Sequence, residues 1–249
     1  MTGSRGRLGA YLVFQAQDFL LMRAALPTLL VLMFGWMMIK TAPAGIDWSA
    51  PTPGQRILNE AFRTLSGMFI TLGAFLGVAR MVTDDRANGY FRFLFSKPVS
   101  VVRFYTQQWV LTGAGLVILT GALARLLGAV TAPVPVAAPM IVMGLTWVLV
   151  GGVGFALSAA TNHDAPLLVV AYVASSALHA LKDAPHTTMP EWLQQVTRFT
   201  IPLHRLDYVR DQLYAGYPMP WHHVAIVVGY GAAFAVAAAV ILQRASLSR

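Results

Sequence analysis

The chain has 249 residues, of which 57% are hydrophobic and only 11% charged, and 18 Lys and Arg against 10 Asp and Glu leave a formal net charge of +8. A soluble domain carries about 25% charged residues, so this chain lacks the polar side chains to coat a water-soluble globule, which argues against a cytosolic enzyme or a soluble nucleic-acid binder. The basic residues lie thinly between apolar runs and read as membrane-topology charge, while the absence of cysteine excludes disulfides, thiolate metal sites and cysteine nucleophiles.

In chain order, Arg5 and Arg7 precede a mixed segment, and no small-residue cleavage site follows the first apolar run. The N-terminus therefore reads as an uncleaved anchor. Residues 8–22 are apolar with Gln15, Gln17 and Asp18 inserted, the pattern of a helix lying at the inner membrane interface. A hydrocarbon core about 30 Å thick takes about 20 helical residues. Runs approaching that length cover residues 24–39, 64–82, 105–130, 136–160, 165–181 and 224–242. They are apolar all round, as lipid requires. Pro27 falls in the first run, where it is tolerable near the first turn or as a kink. Small residues recur at packing spacing: Gly73 and Gly77 in the second run, Gly152, Ala156 and Ala160 in the fourth, Gly229, Ala233 and Ala237 in the sixth. Each series allows close approach of helices within the bundle.

Between the runs, residues 41–60 are rich in Pro, Gly and Ala and read as an external loop. In the long stretch 183–220, Thr188, Pro190 and Glu191 start a short helix through Phe199. Pro202 opens another, with Leu203, Leu206, Val209 and Leu213 near one face and Gly216 as its stop. With both termini cytoplasmic, the densest basic cluster, Arg80 to Arg103, lies inside. The expected fold is thus an all-α integral membrane protein formed as a single domain over residues 1–249. It has six transmembrane helices, an interfacial N-terminal helix, a helix in the cytoplasmic loop and two short outer helices before the last span.

Other polar residues admit plain readings. His163, His179, His186, His204, His222 and His223 are the histidines. A metal site could assemble from His179 and His186 with His222 and His223, but no pair has the His-x-x-x-His spacing of a zinc protease helix, and hydrogen-bonded interfacial histidines are favoured. Arg125, near the end of the third run, can snorkel to the interface. Gln107, Gln108, Thr112, Tyr172, Ser175 and Ser176 line a polar translocation path or hydrogen-bond between helices, and the two readings stand level. The tryptophans fall partly near span ends, as an aromatic belt does. Thr161 to Asp164 form a second inner loop, either a partner contact or a tight turn.

The most specific feature is the loop of residues 83–103. Asp84 and Asp85 come first and Arg86, Arg92 and Lys97 later, which complements a helix dipole. Phe91, Phe93, Leu94 and Phe95 are bulky apolar anchors between charges. Pro98 stops a helix and Ser100 can cap the next. A short amphipathic helix of this kind suits docking into a groove on a cytoplasmic partner.

At Asp84, Asp85, Arg86, Gly89, Phe93, Leu94, Ser96, Lys97, Pro98, Val99, Ser100 and Arg103 the loop resembles the permease family of type-2 ABC transporters. The six-span plan is similar as well. The chain departs from the family pattern at Val101 and Val102, where a basic residue often follows the serine, and at Gln107 and Gln108, where a lysine is common. The resemblance implies a permease dimer, formed with a second copy or a paralogue, in the plasma (bacterial inner) membrane. It also implies a cytoplasmic ABC ATPase dimer that carries ATP and Mg, with Asp84, Asp85, Arg86, Gly89, Arg92, Phe93, Leu94, Ser96, Lys97, Pro98 and Arg103 coupling hydrolysis to export. The three lysines follow Ile39, Ser96 and Leu181, so the chain encodes no Gly-Lys phosphate loop, and the expectation is a transport subunit with no catalytic site, cofactor, metal or nucleic-acid partner of its own, set in membrane lipid. The alternatives are an ion-coupled carrier, which needs intramembrane carboxylates, and a non-transporting scaffold with a histidine metal site.

Overall fold

The computed structural model describes residues 13, 15–41, 54–88, 100–183 and 190–247. All regular structure among them is helical. We number the helices α1 (Gln15–Thr41), α2 (Gly54–Val78), α3 (Thr83–Ala87), α4 (Val101–Val130), α5 (Ala137–Ala160), α6 (Asp164–Asp183), α7 (Glu191–Phe199), α8 (Leu203–Tyr214) and α9 (Trp221–Leu247). Six stretches are long and apolar enough to cross a membrane: α1, residues 56–87 through α2 and α3, α4, α5, α6 and α9. The chain divides into two compact units, residues 1–77 with 107–144, and residues 78–106 with 145–249.

In the first unit, α1 runs unbroken from Gln15 through the segment expected to lie at the interface, by way of a π-helical turn at Phe19–Ala24. The wider turn ends just before Pro27, which has no N–H to give the Arg23 carbonyl. Arg23 reaches Asp18 at 3.3 Å and donates to the Gly77 carbonyl at 2.6 Å. The second helix starts ten residues before the apolar run that announced it (64 − 54 = 10). Its added turns are amphipathic: Leu58, Phe62, Leu65 and Phe69 are buried, whereas Arg56, Glu60 and Arg63 are exposed. Gly73 is buried, and a Cβ there would sit 3.1 Å from Leu116 of α4.

In the second unit, α5 and α9 meet backbone to backbone. A Cβ on Gly152 would strike the Gly231 carbonyl, and one on Gly231 the Val148 carbonyl. Val227, Gly231, Ala238 and Leu242 form the buried face of α9. Gly229, Ala233 and Ala237 are exposed instead, which corrects the seam expected on α9. Trp147 is 4% exposed, inside a π-helical turn at Trp147–Gly151, so it belongs to the interior and not to a belt. The helices α7 and α8 fall at the sequence positions expected of them. Leu203, Leu206 and Val209 are buried, and Gly216, at φ 77°, stops α8. Its N–H bonds the Leu213 carbonyl and that of Tyr217 the Gln212 carbonyl, the paired bonds of a Schellman cap.

Candidate functional site

The second unit holds the described part of the charged loop at one end of α5 and α6. Val78, the last residue of α2, is fully buried against the position of Gly154. Two residues on, Arg80 takes φ 58°, which ends the helix and turns the chain. The Asp164 carboxylate, 3% exposed in the first turn of α6, accepts the Arg80 backbone N–H at 2.7 Å. The helix start also favours its charge. The Val82 N–H donates to Ser158 Oγ at 2.9 Å, and Thr83 Oγ1 donates to the Thr161 carbonyl at 3.3 Å. Within α3, Asp84 and Asp85 occupy the first turn and Arg86 the last. Arg86 donates to the Ala159 carbonyl at 2.6 Å, and the buried Tyr105 of α4 donates its phenol proton to Asp85 at 2.8 Å. The exposed Arg103 takes its backbone N–H toward Ser100 Oγ at 3.4 Å, where Ser100 acts as the cap its sequence position suggests.

Both ends of the charged loop are thereby tied down. Asp84, Asp85 and Arg86 stand at its entrance and Arg103 at its exit, while Gly89, Arg92, Phe93, Leu94, Ser96, Lys97 and Pro98 lie outside the described residues. The loop from Thr161 to Asp164 is part of the same assembly, through the Thr161 carbonyl and the Asp164 carboxylate; Asn162 and His163 remain exposed between them. Sequence reasoning missed Arg80, Ser158, Ala159 and Tyr105. A serine two residues before the end of an apolar helix, and an acid opening the next, were the available signals. Neither identifies a backbone N–H as the partner.

The residues expected along a polar path fall into different units. Gln107, Gln108 and Thr112 lie in the first, Tyr172, Ser175 and Ser176 in the second. Gln108 is 8% exposed, and its Oε1 has no hydrogen-bond partner among the described residues. Ser175 is engaged: its hydroxyl donates to the Ala171 carbonyl at 2.7 Å and accepts the Ile201 N–H at 3.2 Å, which fastens the α7–α8 corner to α6.

At the opposite end of α6, His179 Nε2 lies 3.2 Å from His204 Nδ1 and 3.3 Å from Thr200 Oγ1. The Thr200 hydroxyl gives its proton to the Thr197 carbonyl, which assigns the His179 proton to Nε2. His179 therefore meets both Thr200 and His204; His186 lies outside the described residues. Arg210 reaches the exposed Asp207 carboxylate at 2.8 Å. His223 stacks on Tyr208 with centroids 4.5 Å apart. Among the described residues no three His, Asp or Glu side chains gather as a metal would require.

Fold and site together define a polytopic, all-helical membrane protein whose charged loop is pinned to a second loop on the same face of one unit. Set against protein-family models, curated proteins and solved structures, the chain matches none.

Proposed function

We propose that the chain is the membrane-spanning permease subunit of an ATP-driven exporter of the type-2 ABC kind. A cytoplasmic ATPase dimer docks on residues 84–103, and the permease pairs with a second copy or a paralogue. Both termini are cytoplasmic, residues 8–22 begin at the inner interface, and α7 and α8 lie on the outer surface. The observation that carries this reading is the anchoring of the loop at both ends. Arg80 to Arg86 are bonded to Ser158, Ala159, Thr161 and Asp164, and Asp85 is bonded to Tyr105. A segment pushed from below transmits force only if its ends do not slip. Here displacement of the loop is passed directly to α4, α5 and α6.

The test is nucleotide hydrolysis by the companion ATPase reconstituted with the permease. Phe93→Asp with Leu94→Asp abolishes stimulation of hydrolysis while membrane insertion persists. Tyr105→Phe, which removes one hydrogen bond, reduces stimulation. Full stimulation in the double variant, or transport that continues without nucleotide and collapses with the proton gradient, refutes the proposal.

A further inference from the structure

We propose that His179 and His204 form an acid-operated latch, which fastens the α7–α8 corner to α6 and releases it when two protons enter the pair. The observation is geometric. His179 on α6 is 8% exposed, and His204, the second residue of α8, is exposed. The ring centroids are 4.1 Å apart, and Nε2 of the first lies 3.2 Å from Nδ1 of the second. An imidazole open to solvent thus rests on one that is nearly closed off from it.

The two facing nitrogens have room for one proton between them. In the neutral pair that proton sits on His179 Nε2, which donates to His204 Nδ1 and to Thr200 Oγ1. One added proton still leaves an N–H facing a lone pair, and the bond becomes charge-assisted. With two added protons, both nitrogens carry hydrogen and neither accepts, and two cationic rings meet across 3.2 Å. The closed latch excludes the second proton; the separated rings take it up.

What the latch holds is a short piece of chain. Ser175 and His179 stand one turn apart on α6 and grip adjacent residues of the corner, the Ile201 N–H at 3.2 Å and the Thr200 hydroxyl at 3.3 Å. Both bonds join the same two segments, so release of the histidines loosens the serine. Leu206 and Val209, buried further along α8, keep that helix seated, and the opening is local. The charged and titratable groups around the pair come from four helices. Lys182 on α6 and Glu191 on α7 are exposed. On α8, Arg210 reaches Asp207 at 2.8 Å and Asp211 at 3.4 Å, and Arg205 is half-buried. On α9, His223 stacks on Tyr208 and meets His222 edge-on. The latch operates whether or not an ATPase drives the chain, and on whichever side of the membrane it lies.

The experiment is amide hydrogen exchange of the full chain in nanodiscs, read by mass spectrometry over a series of pH values, with each rate divided by the intrinsic rate at that pH. Protection of residues 200–204 holds steady from about pH 8 to about pH 7, where the open and closed forms bind equal numbers of protons. Below about pH 6 the open form holds one proton more, and protection falls about tenfold per pH unit. Residues 152–159 of α5 keep their protection, which separates release of the latch from unfolding of the chain. His204→Asn retains an acceptor near the position of Nδ1 and does not titrate; His179→Gln retains a donor near the position of Nε2. Each variant holds the corner at neutral pH and loses the acid response, so either serves if the other does not insert. Protection of the corner that is flat with pH in the unmodified chain, an equal fall over residues 152–159, or an acid response that survives in both variants and so belongs to His222 and His223 would each overturn the proposal.

Discussion

Arg80 occupies a backbone conformation that L side chains avoid, φ 58°. The cost is about 1–2 kcal/mol. What holds it there is the Asp164 carboxylate 2.7 Å from its N–H, a charge-assisted bond of roughly twice ordinary strength. Arg80→Gly removes the steric cost and leaves the bond, so the variant gains about 1 kcal/mol. Asp164→Ala leaves a part-buried N–H without its charged acceptor and loses about 1.5–3 kcal/mol. Thermal unfolding of the purified protein in detergent reads both, and a drop in Tm for Arg80→Gly would contradict the account. Asp164 could be placed in the sequence, as the acid that closes the second inner loop at the edge of an apolar run. Its partner could not, because a backbone N–H in a left-handed turn has no side chain to announce it.

Among the elements, α5 and α9 show how fine the fit is. Gly152 and Gly231 face each other with no room for a methyl group, while Gly229, two residues away, has open space around its Cβ position. Gly231→Val forces the helices apart and costs about 1–3 kcal/mol or more; Gly229→Val is neutral in the same melting assay. Equal effects of the two would disprove the seam. The small-residue spacing in α9 was visible, but on the wrong face. A helix of Gly, Ala and Val on all sides has no periodicity with which to choose a face, and the choice fell to the shape of α5. Short amphipathic elements are the opposite case. Pro202, Gly216 and the spacing of Leu203, Leu206 and Val209 determined the position and buried face of α8, because polar residues on the other side made the period readable.

For the whole molecule, the testable quantity is sidedness. With no native cysteine, a single introduced thiol reports one place. The exposed Asn162 precedes the start of α6, and the exposed Asp207 sits on α8, which is bound to the far end of α6 through His204 and His179. A membrane-impermeant maleimide labels Asn162→Cys from the cytoplasmic face only and Asp207→Cys from the outside only; labelling of both from one face breaks the six-span topology. Runs of apolar residues made the six membrane-length helices legible. The binding of the loop after α2 to the loop before α6 was not, because it is made by residues far apart in sequence. That distance has a consequence for biogenesis. Arg80 and the carboxylate that steadies it are 84 positions apart, an interval of roughly 4–17 s at ribosomal speeds of 5–20 residues per second. Throughout that interval the newborn turn after α2 has no acceptor, so it acquires its native bend only after synthesis has passed the fourth crossing.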